Sequence, residues 1–70
     1  MDSKNGFTLT NRDYVLRAWQ NSTELVRDYQ SYAQELEGDD QQLAKLFSDF
    51  AEEEAVHAAK LLELLRGYEK

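Results

Sequence analysis

The chain contains one histidine, His57, and a glutamate, Glu54, precedes it by three residues. Both lie in a segment rich in alanine, leucine and glutamate, a composition that favours an α-helix. Residues three apart on a helix lie on one face, one turn from each other. Helices of metal-binding bundles present one oxygen and one nitrogen to a shared ion at this spacing. Glu54 and His57 are therefore the first candidates for a metal site.

The composition excludes several other kinds of site. The 70 residues include no cysteine, so disulfides, thiolate metal sites and cysteine nucleophiles are absent. The single histidine has no serine and carboxylate at the spacing of a catalytic triad, and there is no glycine-rich phosphate loop.

The charge of the chain also limits its partners. Fourteen acidic and eight basic residues give a net charge of −6, which disfavours nucleic acid and anionic membrane surfaces. No run of residues approaches the roughly 20 apolar residues of a membrane span, and residues 1–6 have no apolar signal region. We therefore expect a cytoplasmic protein that binds neither nucleic acid nor a membrane.

The signals for helix ends predict two helices that position the candidate pair. Thr10 followed by Asp13 is an acidic variant of the capping box, and the aspartates at 39–40 offer a second N-cap. Gly38 and Gly67 each follow a helical pattern, where a C-cap glycine belongs.

These signals predict an all-α fold, an antiparallel two-helix hairpin. The predicted hairpin spans residues 11–67, with helices at about 11–37 and 40–66. It follows a flexible N-terminal tail over 1–10 and precedes a short C-terminal end over 68–70.

Apolar residues alternate by three and four along both predicted helices, as in helices that pack together. In the first helix, the predicted seam comprises Val15, Trp19, Ser22, Val26, Tyr29, Ala33 and Leu36. In the second, it comprises Leu43, Phe47, Phe50, Glu54, His57, Leu61, Leu64 and Tyr68. A second apolar row widens each face: Leu25, Tyr32, Leu46, Leu62 and Leu65. Two helices cannot cover such faces, so we expect two hairpins to close into a four-helix bundle.

The placement of Glu54 and His57 within an apolar seam has two interpretations. A buried carboxylate must be paired, protonated or bound to a metal, because burying it unpaired is costly. The pair either binds a metal ion or has a structural role, as a polar core layer that fixes the register of the helices or as a pair at the rim of the seam whose polar ends reach solvent. The second interpretation describes a metal-free interaction or structural module whose apolar face docks a partner helix.

The segment around His57 resembles the second helix of ferritin-like di-iron proteins. Residues 52–66 read Glu-Glu-Glu-Ala-Val-His-Ala-Ala-Lys-Leu-Leu-Glu-Leu-Leu-Arg. They are most similar to the encapsulated ferritins, two-helix chains with the pattern Glu-Glu-x-x-His-Ala-Ala followed by Leu-Glu-x-Leu-Arg. Rubrerythrins have a similar Glu-x-x-His-Ala helix. Residues 40–43, Asp-Gln-Gln-Leu, stand where the encapsulated ferritins have Asp-Pro-Glu-Leu. The resemblance covers roughly residues 20–67.

The resemblance implies a ferroxidase that oxidises Fe(II) to Fe(III) with dioxygen or peroxide, in iron homeostasis or protection from oxidative stress. Its di-iron site would lie between subunits. Glu54 and His57 match the second-helix ligands of the family. Glu24, 33 residues before His57, matches the first-helix ligand, and Glu53 is an accessory carboxylate. Two hairpins would then supply four carboxylates and two imidazoles. Such a set of oxygen ligands with some imidazole suits iron or manganese better than copper.

Three residues of the implied site have competing interpretations. Glu24 lies about 200° around the helix from Val26, so it points away from the seam within its own hairpin. It therefore serves another subunit's site, is solvated, or closes a capping box that begins at Asn21. Tyr29 and Tyr32 lie near the inner face, where they could bind a ligand carboxylate, be oxidised, or simply pack.

Encapsulated ferritins also carry a C-terminal tail that docks them inside a protein shell. No such tail is seen in this sequence after Gly67. An encapsulin-type shell is therefore a partner that only the resemblance suggests, and location inside a protein compartment is the alternative to the open cytoplasm.

Overall fold

The computed structural model describes residues 9–68, which form an antiparallel helical hairpin. Helix α1 spans Asn11–Leu36 and helix α2 spans Gln41–Gly67. The predicted all-α hairpin is confirmed, and both helices end within one residue of the predicted positions. The tail predicted over 1–10 lies outside the described residues except for Leu9 and Thr10, as do residues 69–70 of the C-terminal end. Neither α1 nor α2 is long and apolar enough to cross a membrane.

Side-chain hydrogen bonds define where both helices begin. The Thr10 hydroxyl accepts from the Asp13 amide at 3.2 Å, and the Asp13 carboxylate accepts from the Thr10 amide at 2.9 Å. The hydrogen bond from the Thr10 amide lowers the pKa of the Asp13 carboxyl. At α2, the Asp40 carboxylate accepts from the Leu43 amide at 3.1 Å. Both predicted N-caps are therefore present.

Gly38 follows the C-cap of α1, Glu37, as predicted, but neither glycine ends its helix through a left-handed backbone conformation. The amides at 39 and 40 both donate to the Leu36 carbonyl, at 3.0 and 2.8 Å, and this closes the turn. Neither Gly38 nor Gly67 adopts the left-handed backbone conformation that favours glycine, and the space beside each is open. Gly67 is the last residue of α2, with Tyr68 as its C-cap. The turn therefore depends on backbone hydrogen bonds and the aspartate cap.

Helix α1 packs through the seam that the sequence predicts. Ser22 is buried at the centre of this seam, and the remaining members are half-buried: Val15, Trp19, Val26, Tyr29, Ala33 and Leu36. The alternation by three and four therefore identifies the buried side of this helix correctly.

Helix α2 packs through a different seam from the one predicted. Its buried residues recur every seven positions, are 4% to 8% exposed, and form what we call the alanine seam: Ala44, Ala51, Ala58 and Leu65. Between them, at the positions that continue the alternation by three and four, lie half-buried side chains: Phe47, Glu54 and Leu61. The other five members of the predicted seam are instead exposed: Leu43, Phe50, His57, Leu64 and Tyr68.

The size of the side chains explains this rotation of α2. Both the predicted and the observed seams alternate by three and four, and both include Phe47, Glu54 and Leu61. The distance between packed helices depends on the side chains at the contact, and alanine allows a closer approach than phenylalanine or leucine. Three alanines therefore make the contact along most of α2, and Leu65 is the one large residue buried with them, near the end of the helix.

This arrangement leaves one broad face of the hairpin apolar. We call it the apolar face, and its exposed large side chains are Tyr14, Leu25, Tyr32, Leu43, Leu46, Phe50, Leu64 and Tyr68. Next to it, Tyr29 stacks on Phe47 with ring centroids 5.9 Å apart. The opposite face is a polar groove lined mainly by Gln30, Gln34, Glu37, Gln41, Lys45, Ser48, Asp49 and Glu52. The shortest dimension of the molecule is 13 Å, the thickness of one layer of helices.

We expect Ala51→Leu to destabilise the hairpin, because Ala51 is 4% exposed and a larger side chain at a buried position has to displace its neighbours. Overpacking of this kind costs about 1–3 kcal/mol in the free energy of unfolding. Urea denaturation followed by circular dichroism measures the change. Ala59→Leu is the matched control, because Ala59 is exposed on the same helix. Equal stability of the two variants would contradict the alanine seam.

Candidate metal centre

Glu54 is the acidic side chain that reaches into the contact between the helices. Its side chain is 18% exposed. Its Oε2 atom accepts a hydrogen bond from the Ser22 hydroxyl of α1 at 2.7 Å. Ser22 is 7% exposed and is the one buried polar residue between residues 9 and 68. The carboxylate is therefore held from the opposite helix, on the line where α1 and α2 meet.

His57 lies one turn further along α2, beside the same carboxylate. Its Nδ1 atom is 3.3 Å from Oε1 of Glu54, and its side chain is 66% exposed. His57 is not a core residue, as the predicted seam had placed it, because the alanine seam turns it outward. It lies on the apolar face, seven residues from both Phe50 and Leu64. The pair thus has one half-buried and one accessible member.

The two facing atoms fit a shared metal ion. Ligands at about 2.1 Å from one ion, at right angles to each other, lie about 3.0 Å apart. The Oε1 to Nδ1 distance of 3.3 Å is close to this value, and it also allows a direct hydrogen bond between imidazole and carboxylate. One carboxylate oxygen with one imidazole nitrogen is a donor set that iron and manganese accept.

Glu24 and Glu53 do not join this pair within one chain. Both are exposed, and Glu24 lies on the flank of α1 away from the seam, as the helix geometry predicts. Helix α1 is continuous through Asn21, so a capping box from Asn21 to Glu24 is ruled out. Along residues 9–68, no three His, Asp or Glu side chains of one chain come together as a potential metal site. A single hairpin therefore assembles the two donors Glu54 and His57.

Tyr29 and Tyr32 belong to an aromatic cluster on the turn side of Glu54. The ring centroids of Tyr29 and Phe50 are 5.6 Å apart, and those of Tyr32 and Phe47 are 5.4 Å apart. Edge-to-face contacts at such distances stabilise an apolar core. Both rings therefore make packing contacts within one hairpin, and an accessory role for Tyr29 and Tyr32 at the metal site stays a prediction.

The hydrogen bond between Ser22 and Glu54 is the contact that sequence reasoning did not find. A signal for it exists, because Ser22 is a small polar residue within an otherwise apolar seam. Pairing it with Glu54 requires knowledge of how the two helices align across the turn, and the periodicity of each helix alone does not contain this.

A helical hairpin that presents glutamate and histidine one turn apart on its second helix has the architecture of a ferritin-like di-iron protein. A sequence profile of the rubrerythrin family matches residues 15–70, and the chain belongs to this family. Members of the family typically bind iron. No significant match was found among curated proteins, and none among solved structures. The closer similarity to encapsulated ferritins stays a prediction.

Proposed function

We propose that this protein oxidises Fe(II) to Fe(III) at a di-iron site shared between subunits, with dioxygen or peroxide as the electron acceptor. The observation that carries the proposal is the half-buried Glu54 carboxylate with the His57 imidazole 3.3 Å away. Membership of the rubrerythrin family supports iron as the metal. Manganese is the second metal that this donor set would accept.

The position of the pair supports a site between two copies of the chain. The accessible imidazole lies on the apolar face, which a single layer of helices leaves uncovered. A second hairpin on this face would form a four-helix bundle and bring a second Glu54 and His57 to the same interface. Glu24 and the accessory Glu53 are proposed to complete the ligand set across subunits, because their exposed carboxylates are free to meet another chain.

The residues of the chain have separate tasks in this chemistry. When bound, the iron pair supplies two electrons, which reduce dioxygen to hydrogen peroxide, or peroxide to water, with uptake of two protons. The carboxylates of Glu54 and its partners stabilise the additional positive charge of the oxidised metal. His57 binds through a neutral nitrogen, so it fixes geometry without adding charge. The apolar side chains around the pair exclude bulk water once a second hairpin covers them.

The proposed cellular role is iron homeostasis or protection from oxidative stress in the cytoplasm. Bundles of two hairpins cannot enclose a mineral, so storage of Fe(III) would require another compartment. An encapsulin-type shell would provide one. This partner rests on the resemblance to encapsulated ferritins alone.

Anaerobic titration of the metal-free protein with Fe(II), followed by size-exclusion chromatography with light scattering, tests the proposal. We expect about one iron per chain, because two copies share two ions. Dimers or larger species should form or become more stable, because ions between chains stabilise the assembly by mass action. Exposure to air should then oxidise the bound iron. Protein that binds no iron, with an oligomeric state indifferent to the metal, would contradict the proposal.

The Ser22 hydrogen bond favours one alternative, a metal-free interaction module. In that case Glu54 needs no metal, because Ser22 and His57 already satisfy its two oxygens. Glu54→Gln separates the two functions, since the amide keeps the shape of the side chain and loses the charge. The module predicts that the wild-type protein binds no iron and that Glu54→Gln leaves the oligomeric state unchanged. The ferroxidase predicts that the wild-type protein binds iron and that Glu54→Gln loses it.

A further inference from the structure

The Ser22 hydroxyl of α1 donates its only proton in a hydrogen bond to α2. In a helix interior, serine and threonine hydroxyls commonly donate to a carbonyl of their own helix. The neighbouring Thr23 does so, donating to the Gln20 carbonyl at 2.8 Å. Ser22 instead donates to Oε2 of Glu54 at 2.7 Å, a short distance that is typical of a hydrogen bond to a charged acceptor. The Ser22 hydroxyl therefore acts on the carboxylate rather than on the backbone of α1.

This bond gives the two oxygens of Glu54 different surroundings. Oε2 is held by Ser22 inside the seam, and Oε1 lies 3.3 Å from Nδ1 of His57 on the accessible side. Rotation of a glutamate carboxylate about its last side-chain bond is only weakly restricted. A hydrogen bond from a buried, fixed donor supplies the restriction that the side chain itself lacks.

We infer that Ser22 is a positioning residue of the metal site: its hydroxyl holds Oε2 of Glu54 and so directs Oε1 toward an ion that His57 also binds. This inference rests on the proposed function, since it concerns the same donor pair. Ser22 contacts the ligand and not the ion. Groups that orient metal ligands in this way typically change metal affinity by 10–100-fold when they are removed.

Two variants of equal shape isolate the hydroxyl. Ser22→Thr keeps the hydroxyl and adds a methyl group, whereas Ser22→Val has the same shape and lacks the hydroxyl. Any strain from the added methyl group is common to both. Thr23→Val is the matched control on α1, because it removes a hydroxyl that donates to the Gln20 carbonyl. Ser22→Ala removes the hydroxyl without adding volume, and it checks the result for Ser22→Val.

Co(II) is the probe, because its visible absorption reports the geometry of its ligands without any oxidation. We expect Ser22→Val and Ser22→Ala to bind Co(II) roughly tenfold more weakly than the wild-type protein, with an altered visible spectrum. Ser22→Thr should stay within about threefold of the wild type and keep its spectrum, because the outer hydrogen bond is retained. Thr23→Val should behave as the wild type does. Circular dichroism confirms that the variants compared are helical.

Each contrary result has a distinct meaning. Equal Co(II) affinity and spectra for Ser22→Thr and Ser22→Val would overturn the positioning role and leave the proposed function intact. Wild-type affinity for Ser22→Ala would do the same. Failure of the wild-type protein itself to bind Co(II) or Fe(II) would overturn the proposed function, and the inference with it.

Discussion

His57→Ala is expected to abolish Fe(II) binding and oxidation while leaving the helices intact. His57 is the only histidine of the chain, so no other imidazole can replace it as a metal ligand. Its side chain is 66% exposed. Its removal therefore costs little packing. We expect Fe(II) affinity to fall by more than about 100-fold. Removing a group that only orients a metal ligand can already lower metal affinity by about 100-fold, and His57 is proposed to be a ligand itself. Anaerobic Fe(II) titration, followed by the absorbance of Fe(III) after exposure to air, measures both effects.

The control for His57→Ala is Lys60→Ala. Lys60 is an exposed side chain one turn further along the same helix, and neither substitution removes a buried group. Glu54→Gln should match His57→Ala in iron binding, since the two donors act on one ion. Undiminished Fe(II) oxidation by His57→Ala would show that the pair is not the metal site. A similar loss in Lys60→Ala would mean that the effect is not specific to the imidazole.

The double variant Leu46→Glu/Leu64→Glu is expected to convert the proposed dimer into monomers. Both leucines lie on the apolar face, and they are 45% and 53% exposed in the single hairpin. In a symmetric dimer each substitution occurs twice, so the apolar burial of up to four leucines is lost. At about 1.5–3 kcal/mol for full burial of each, even half of this total weakens association by more than about 100-fold. Size-exclusion chromatography with light scattering measures the mass.

The matched control for this variant carries the same added charge on the opposite face. Gln34→Glu/Ser48→Glu places two glutamates in the polar groove, where the proposed assembly needs no contact. It should keep the mass of the wild-type protein. If both double variants dissociate, the added negative charge alone explains the loss of the dimer. Persistence of the dimer in Leu46→Glu/Leu64→Glu would exclude the apolar face as the interface.

Sequence periodicity predicted α1 better than α2, for a physical reason. In α1 the predicted alternation by three and four, from Val15 to Leu36, contains only half-buried residues and the buried Ser22, so pattern and burial agree. In α2 two possible seams share Phe47, Glu54 and Leu61. The sequence pattern favours the seam that adds the large residues Leu43 and Phe50. The structure buries Ala44 and Ala51 instead. How closely two helices approach depends on both of them, so the sequence pattern of α2 alone does not predict which seam is buried.

The same limit applies to the site. The spacing of Glu54 and His57 is local, so the sequence shows that the two side chains meet. The contact from Ser22 depends on the alignment of α1 with α2, which the length of the turn sets. The predicted ligand Glu24 faces away from both helices' shared seam, and its position relative to a metal depends on a second chain. Local spacing could therefore predict the pair, and it could not predict the remainder of the ligand set.

The alanine seam has a consequence for how this protein responds to its own concentration. Because mainly alanines make the contact within the hairpin, a single chain leaves many of its large apolar side chains exposed. It therefore gains only part of the stabilisation that burying them would give. Under the proposed assembly, the remainder is released when copies meet, so the melting temperature should rise as the protein is concentrated. Expression level and iron supply would then regulate the same folding equilibrium. Under the proposed function, bound iron would raise the melting temperature in the same way, because it binds the assembled state.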